Sequence, residues 1–298
     1  MSDALKSPPR LRPGDVIRVV APSGPFDRAA FERGLALLGE RYELRYEASI
    51  FTRERFLAGD DARRSDEFIK ALEDPEAKAI LAARGGYGSM RILRALPLSL
   101  IRSNPKLFIG SSDLTAVHAR FHRAGLITIH GPMLTRMGDL GEAHAAPLIE
   151  MMEGSRERFV FEGEGASSGG AEGRLFGGNL TLIAALLGTG ELPDLRGAIL
   201  ALEEVNERPY RVDRLLMQLS LAGVFDELAG VVFGEFLGAE PGPDGATIDE
   251  VIDDLLERHP LPALKGLAFG HGEVNLPLPL GARARIQGER LEIEQKIG

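Results

Sequence analysis

The sequence predicts an α/β protein with two α/β domains, of which the N-terminal one has a mostly parallel sheet. Short apolar runs alternate with segments of helical periodicity along the whole chain, which is typical of βαβ units. The length of 298 residues is about twice that of a typical single domain. Hydrophobic residues make up 44% of the chain and charged residues 27%, the composition of a folded globular protein.

The composition also excludes several functional classes. The chain contains no cysteine, which rules out a disulfide scaffold, a zinc–thiolate site and a cysteine nucleophile. With 44 acidic against 35 basic residues and a net charge of -9, it lacks the basic footprint of a nucleic-acid-binding protein. No secretory-signal pattern and no apolar run of the roughly 20 residues that cross a bilayer is found. We therefore expect a soluble cytoplasmic protein without nucleic-acid or membrane partners.

In the N-terminal half, three apolar runs each end in a turn and lead into a helical pattern. These runs lie at 16–21, 79–83 and 107–110, and the first helical pattern covers 26–38. The turns contain proline, glycine and serine, which interrupt regular structure. This order of strand, turn and helix predicts the parallel sheet of the N-terminal domain.

A segment rich in glycine, serine and glutamate, at 162–173, separates the two halves. Because few of its side chains can pack, we predict a flexible linker there, between an N-terminal domain over 1–161 and a C-terminal domain over 174–298. The alternation then resumes, with helices predicted at 180–187 and 211–221 and strands at 198–202 and 230–234.

The strand at 107–110 runs into a segment with the layout of a nucleophile elbow. In such an elbow a serine on a sharp strand-to-helix turn exposes its hydroxyl, and the next backbone N–H faces an incoming oxyanion. Ser112 has the nucleophile's place, with Gly110 two residues earlier. Leu114 stands where the hydrolase pattern G-x-S-x-G has its second glycine. The alternative interpretation is that Ser111 or Ser112 only caps the following helix.

A nucleophilic serine needs a base, and the base needs an orienting carboxylate. His271 lies between two glycines, directly after an apolar strand candidate at 266–270, so its ring can stand at a strand end. A structural role in a tight turn is the alternative. Glu203 and Glu204 come at the end of the strand predicted at 198–202, where an acid is either solvated or used in a cleft.

Two further features bear on metals and nucleotides. His118 and His122 are four residues apart on one predicted helix, but the residues between them supply no carboxylate, so we expect no metal site. The glycine run at 84–88 lacks the spacing of nucleotide-binding loops. Its backbone can approach a ligand closely, which makes it a candidate for half of an oxyanion hole.

Several short stretches form an ordered set over nearly the whole chain. They are Val20-Ala-Pro-Ser-Gly24, Arg84-Gly-Gly-Tyr-Gly88, Gly110-Ser-Ser-Asp113, Gly177-Gly-Asn-Leu180, Leu202-Glu-Glu204, Pro209-Tyr-Arg-Val-Asp-Arg214, Gly270-His-Gly272 and Pro279-Leu-Gly281. Together they resemble the LD-carboxypeptidase family of serine peptidases, which includes muramoyltetrapeptide carboxypeptidases and microcin C self-immunity peptidases.

The resemblance implies a role for particular residues. Ser112 matches the nucleophile, Glu203 the acid of the triad and His271 its base. Asp113 matches the residue whose backbone N–H lies in the oxyanion hole, and Gly86 is the candidate for the second donor. This chain departs from many relatives at two positions, with Ser111 in place of tyrosine and Glu204 in place of aspartate.

The resemblance also implies an active site in a groove between the two domains, a homodimer, and chemistry without a metal or organic cofactor. A carboxypeptidase must bind a free carboxylate, and Arg84, beside the glycine run, is the candidate cation. The expected substrate is a murein tetrapeptide that loses its terminal D-Ala during cell-wall recycling. An amidase of microcin C-like peptidyl or aminoacyl nucleotides is the alternative within the family, although such members tend to be longer, and this chain has no tryptophan. A non-catalytic small-molecule binding protein is the third hypothesis.

Overall fold

The computed structural model describes residues 5–167, 169–243 and 245–294. The described chain forms two compact units. The first contains residues 5–156 and 276–279, and the second contains the described parts of 157–275 and 280–294. Within these described ranges, no helix is both long enough and apolar enough to cross a bilayer.

The described residues form fourteen strands, ten α-helices and four short 3-10 turns. The strands are β1 Val16–Val20, β2 Glu43–Arg45, β3 Ala77–Ala82, β4 Leu107–Gly110, β5 Thr128–His130, β6 Arg158–Glu162, β7 Glu164–Gly165, β8 Ala171–Asn179, β9 Ala198–Val205, β10 Gly230–Leu237, β11 Ala263–Lys265, β12 Leu278–Leu280, β13 Arg283–Gln287 and β14 Arg290–Glu294. The helices are α1 Arg28–Gly39, α2 Asp61–Glu73, α3 Ser89–Ile92, α4 Leu98–Ser103, α5 Thr115–Arg123, α6 Leu134–Leu140, α7 Glu142–Glu153, α8 Leu180–Leu186, α9 Pro209–Leu221 and α10 Ile248–Arg258. The 3-10 turns are Ala48–Phe51, Leu93–Ala95, Ser112–Leu114 and Phe225–Glu227.

The first unit is built around a six-stranded sheet of order β12-β5-β4-β3-β1-β2. Strands β1 to β5 pair in parallel, which confirms the mostly parallel sheet predicted for the N-terminal half. Every residue of β4 is buried, as in parallel strands that are covered on both faces. The carboxyl ends of β1, β3 and β4 are neighbours in this order, so the turns after these strands meet at one edge.

The second unit contains an eight-stranded mixed sheet of order β6-β14-β13-β8-β9-β10-β11-β7. Its central strands β8, β9, β10 and β11 pair in parallel. The strands β6, β14 and β13 extend one side of the sheet in antiparallel fashion, and β7 closes the other. Both units are therefore α/β, as the alternation of strands and helices predicts.

Local signals explain where the predicted elements begin and end. Helix α1 starts after Asp27, whose carboxylate accepts the backbone N–H of Ala30 at 2.8 Å and so caps the first turn. Strand β9 continues beyond the predicted end at 202 to Val205. As a consequence, Glu203 and Glu204 lie inside a buried strand and are not solvated at its end.

The structure differs from the predicted linker at 162–173, of which residue 168 lies outside the described residues. The chain divides earlier, between residues 156 and 157, and the glycine-rich segment belongs to the second unit. Parts of it form β7 and the start of β8, because small residues can still pair through their backbone groups where side chains pack little. Residues 276–279, assigned from sequence to the C-terminal domain, belong to the first unit.

Candidate active site

Ser112 lies on a sharp turn directly after the buried strand β4. Its φ of 62° is in the left-handed region, which is strained for a residue other than glycine. A 3-10 turn from Ser112 to Leu114 leads into α5, and the hydroxyl of Thr115 donates to the Ser112 carbonyl at 2.7 Å. A strained serine between a strand and a helix is the local geometry of a nucleophile elbow.

The structure separates Ser112 from its neighbour Ser111. Ser111 is only 4% exposed, whereas Ser112 is partly exposed. Ser111 precedes the 3-10 turn, but its side chain makes no capping hydrogen bond there. The helix-capping alternative is therefore not supported, and Ser112 is the more exposed residue of the pair.

The glycine run after β3 lies directly against the elbow. A Cβ atom placed on Gly85 would lie 3.0 Å from the Ser112 Cβ, which is tighter than ordinary van der Waals contact. Gly86 has a φ of 104°, a conformation that glycine adopts without strain. Arg84 is exposed and donates from Nη1 to the Pro25 carbonyl at 2.5 Å. Arg84 and Gly86 flank Gly85 in the chain, and Asp113 follows Ser112 directly.

His118 and His122 do not form the metal-binding pair considered from sequence. Nδ1 of His118 lies 2.8 Å from the Thr128 hydroxyl, and Nε2 lies 2.9 Å from the Gly110 carbonyl, so both ring nitrogens are engaged in the core. Across the described ranges, no group of three or more His, Cys, Asp or Glu side chains is placed to hold a metal ion. His118 instead ties α5 to β4 and β5.

The buried His118 makes stability depend on pH. Burial lowers the pKa of His118 from 6.5 to about 4, because desolvation penalises the charged ring. The unfolded chain therefore binds a proton that the folded chain does not between these values, and stability is lost as the pH falls from 6.5 to 4. We expect His118 to lower the free energy of unfolding by up to about 3 kcal/mol over this pH range. Urea unfolding at several pH values measures this dependence, and His118→Gln should lose it. An unchanged slope in the variant would contradict this assignment.

In the second unit, Glu203 and His271 form a hydrogen-bonded pair. Nδ1 of His271 lies 2.6 Å from Oε2 of Glu203, the distance at which Nδ1–H donates to a carboxylate. The Glu203 side chain is fully buried, and that of His271 is 24% exposed. A buried carboxylate thus holds one ring nitrogen of a partly exposed histidine, the orientation that a general base requires.

Two opposing effects act on the pKa of Glu203 in this pair. Burial raises the pKa of Glu203, and the hydrogen bond and charge of His271 oppose the shift. A carboxylate in such a position gains most when the imidazole becomes a cation, because the two charges then neutralise one another out of water. The pair can therefore stabilise an imidazolium that forms during a proton transfer.

Glu204 has a different, structural role. Its carboxylate accepts hydrogen bonds from the Asn179 amide, the backbone N–H and hydroxyl of Thr181, and the backbone N–H of Val205, all between 2.7 and 2.9 Å. These bonds hold the start of α8 against β9. Of the two adjacent glutamates, Glu203 faces the histidine and Glu204 anchors the fold.

The loop that carries His271 differs from the strand predicted at 266–270. The sequence pattern was apolar, but Gly266 and Gly270 have φ values of 71° and 127°, which break an extended conformation. His271 therefore lies in the loop after β11 and not directly at a strand end. The histidine keeps its predicted partner because the loop is held by other residues.

Two residues that sequence reasoning missed hold this loop. Oδ1 of Asn275 accepts the Gly270 N–H at 3.1 Å, and Oε2 of Glu235 accepts the Gly272 N–H at 2.7 Å. Glu235 lies where the pairing of β10 with β9 shifts register, and such irregularities redirect side chains. The sequence contained no signal for either contact, because an irregularity in a strand is set by its neighbours.

Replacing Gly272 with alanine is expected to displace this loop. A Cβ at position 272 would lie 1.9 Å from Oε2 of Glu235, so either the carboxylate or the loop must move. Since a shift of about 1 Å can cost about 100-fold in rate, we expect kcat to fall about 100-fold in Gly272→Ala. Gly39→Ala, at the end of α1 with open space around the added methyl, is the control. Equal kcat values for the two variants in a peptidase assay would show that the loop tolerates the shift.

Comparison with known proteins relates both units to one family. The model of the LD-carboxypeptidase N-terminal domain matches residues 17–131, and that of the LD-carboxypeptidase C-terminal domain matches residues 172–286. A probable murein peptide carboxypeptidase of Bacillus subtilis is 34% identical over 287 residues, covering 93% of this chain and 90% of the relative.

Two solved structures are also similar to the chain. The muramoyltetrapeptide carboxypeptidase from Oxalobacter formigenes has a TM-score of 0.86 and 30% identity, covering 94% of this chain and 98% of that one. The microcin C7 self-immunity protein in complex with aspartyl sulfamoyl adenosine has a TM-score of 0.91 and 25% identity, covering 98% and 99%. With both family models matched in order and these identities over most of its length, the chain belongs to the LD-carboxypeptidase family of serine-type carboxypeptidases.

Proposed function

We propose that the protein hydrolyses the L,D-peptide bond before the terminal D-Ala of murein tetrapeptides, in cell-wall recycling, through a triad of Ser112, His271 and Glu203. The names of the relatives in Bacillus subtilis and Oxalobacter formigenes support this substrate class. The higher identity to these two than to the microcin immunity protein favours it over the nucleotide-conjugate alternative.

In the proposed acylation, His271 removes the proton of the Ser112 hydroxyl as Oγ attacks the carbonyl carbon before D-Ala. Glu203 keeps the Nδ1–H of the ring in place and stabilises the imidazolium. The tetrahedral intermediate collapses when His271 gives its proton to the leaving nitrogen, so that the C–N bond breaks and D-Ala departs. The peptide remains as an ester on Ser112.

In the proposed deacylation, water attacks the ester carbonyl while His271 takes a proton from the water. The ring then gives this proton to Ser112 Oγ as the ester C–O bond breaks, and the tripeptide leaves with a free carboxylate. Backbone N–H groups of Asp113 and Gly86 bind the oxyanion in both halves of the cycle. Each such donor is worth roughly 3 kcal/mol in other serine hydrolases. Arg84 is the proposed partner of the free carboxylate of D-Ala.

The single observation that carries this proposal is the hydrogen bond between His271 and the fully buried Glu203. A buried carboxylate is costly, and a structural histidine in a turn needs no such partner. A non-catalytic binding protein would have no use for this pair or for a strained serine.

The decisive experiment measures D-Ala release from murein tetrapeptides that contain either meso-diaminopimelate or L-Lys before the D-Ala, with and without EDTA. We expect release of D-Ala from at least one of the two peptides, and EDTA should not change its rate. The same peptide with L-Ala at its end should release no L-Ala. Cleavage of aspartyl sulfamoyl adenosine alone would favour the microcin-type amidase. Binding of the peptide without cleavage would favour the non-catalytic hypothesis.

The resemblance to the family further leads us to propose a homodimer. Sedimentation equilibrium at micromolar concentration tests this directly. A mass near 64 kDa, twice the 32.2 kDa of the chain, is the expected result. A monomer mass across the whole concentration range would contradict it.

A further inference from the structure

The carboxylate of Asp113 joins three separate segments of the first unit. Its Oδ2 accepts the Ser23 hydroxyl at 2.6 Å and the backbone N–H of Ser89 at 2.8 Å. The hydroxyl of Ser89 in turn donates to the backbone carbonyl of Asp113 at 2.6 Å. Ser23 follows β1, Ser89 follows the glycine run after β3, and Asp113 is part of the elbow after β4. One side chain thus fastens the three turns that meet at the carboxyl edge of the sheet.

Neither sequence patterns nor the triad assigns a role to this side chain. The family resemblance implies a role for Asp113 only through its backbone N–H. In the structure it is 2% exposed, and both serines are fully buried. A carboxylate can be buried only when protein donors replace the hydrogen bonds that water would make to it. Ser23 and Ser89 are such donors.

A second buried charge, that of Arg64, joins two of these three turns. Nη1 of the fully buried Arg64 donates to the Pro22 carbonyl and, at 2.8 Å, to the Gly88 carbonyl. The backbone N–H of Gly24 also donates to the Gly85 carbonyl at 3.1 Å. The glycine run is therefore fixed at both ends, to the turn after β1 through Arg64 and Gly24 and to the elbow through Asp113.

Both proposed oxyanion donors depend on this arrangement. One is the backbone N–H of Asp113 itself, and the other belongs to Gly86, three residues before Ser89. Gly86 has no side chain that could hold its position. Its φ is 104°, and a glycine backbone can adopt many other conformations as easily. The separation of the two N–H groups is thus determined by bonds from neighbouring residues.

We propose that the Asp113 side chain is the positioning residue of the oxyanion hole, which it assembles by fastening the glycine run to the elbow through Ser89 and to the turn after β1 through Ser23. This proposal rests on the proposed function, in which Asp113 and Gly86 supply the two donors. Donors of this kind stabilise a transition state only when they are already in place before charge develops. The carboxylate acts through the backbone and does not touch the substrate.

The test compares Asp113→Asn, Asp113→Ala and Ser89→Ala in D-Ala release and in the rate at which a sulfonyl fluoride modifies Ser112. We expect kcat to fall about tenfold in Asp113→Asn, which keeps one acceptor oxygen, and about 100-fold in the alanine variants, with KM nearly unchanged. The modification rate should fall by similar factors, because the reagent's oxygen uses the same donors. A loss of folded protein would also lower kcat at constant KM, so each kcat is divided by the folded fraction measured by circular dichroism. A fall that persists after this correction indicates positioning.

Lys106→Met is the matched control. Nζ of Lys106 donates to the carbonyls of Asp74 and Ala77 at the opposite end of β4, so this variant also loses buried hydrogen bonds of the first unit. We expect a lower melting temperature with unchanged kcat. If Asp113→Asn and Ser89→Ala behave in the same way as this control, the carboxylate is only structural and the proposal is overturned.

The same experiments distinguish three outcomes: a variant that does not fold, a wrong nucleophile, and a wrong role for Asp113. If Asp113→Ala does not fold, the isosteric Asp113→Asn and the small change Ser89→Ala decide the outcome. If wild-type Ser112 is not modified by the sulfonyl fluoride, the proposed nucleophile itself is wrong. If Ser112 is modified at the wild-type rate in Asp113→Asn and Ser89→Ala, only the role of Asp113 is refuted.

Discussion

Replacing Ser112 with alanine is expected to abolish D-Ala release while the protein remains folded. The hydroxyl is the proposed nucleophile, and loss of a triad nucleophile costs at least about 10⁴-fold in turnover. The side chain is partly exposed, so its removal leaves no buried cavity. Alanine bears the same Cβ as serine and meets the same strain at a φ of 62°. Turnover with the tetrapeptide, together with circular dichroism, measures both expectations.

Ser111→Ala is the matched control for this variant. The two serines are adjacent, but Ser111 is buried at the end of β4 and its hydroxyl makes no capping bond. We expect Ser111→Ala to retain most of its turnover. If the two variants behave in the opposite way, the nucleophile has been assigned one residue too late in the turn.

Replacing Glu203 with glutamine should cut turnover by about 10⁴-fold, the cost of the comparable change of aspartate to asparagine in a serine protease of another fold. Glutamine has nearly the same shape, so it fits the fully buried site. It cannot stabilise the imidazolium, and its amide can donate to Nδ1 of His271 and so favour the wrong tautomer. A loss in kcat with a nearly constant KM is the expected signature. Turnover within tenfold of the wild type would contradict the triad.

Glu204→Gln tests whether this effect is specific to the residue beside the histidine. Glu204 accepts four hydrogen bonds from Asn179, Thr181 and Val205, two of which come from backbone groups. An amide has one acceptor oxygen, so we expect this variant to melt at a lower temperature. Its loss of turnover should be much smaller than that of Glu203→Gln, because the Glu204 carboxylate binds Asn179, Thr181 and Val205, whereas Glu203 binds His271.

Much of the fold could be predicted because its signals are local. The apolar runs before the turns at 22–25 and 84–88 predict β1 and β3, and the run at 107–110 coincides with β4. The glycine-rich segment at 162–173 is predicted as a linker, whereas its described residues include β7 and the start of β8, since composition reflects side-chain packing and not backbone pairing. The strand expected at 266–270 failed because two of its glycines adopt positive φ values. Local composition therefore predicts elements well where side chains determine the conformation, and poorly where backbone geometry does.

For the site, local sequence patterns are enough to predict the strand-to-turn position of Ser112, and the family resemblance identifies Glu203 and His271. The tertiary structure adds that Oε2 of Glu203 lies against Nδ1 of His271, that His118 belongs to the core, and that Asp113 fastens three turns together. Chain neighbours share a local conformation, so a turn can be read from a few residues. A hydrogen bond between residues 68 or 90 positions apart depends on how the strands are ordered and where each ends, which no local pattern contains.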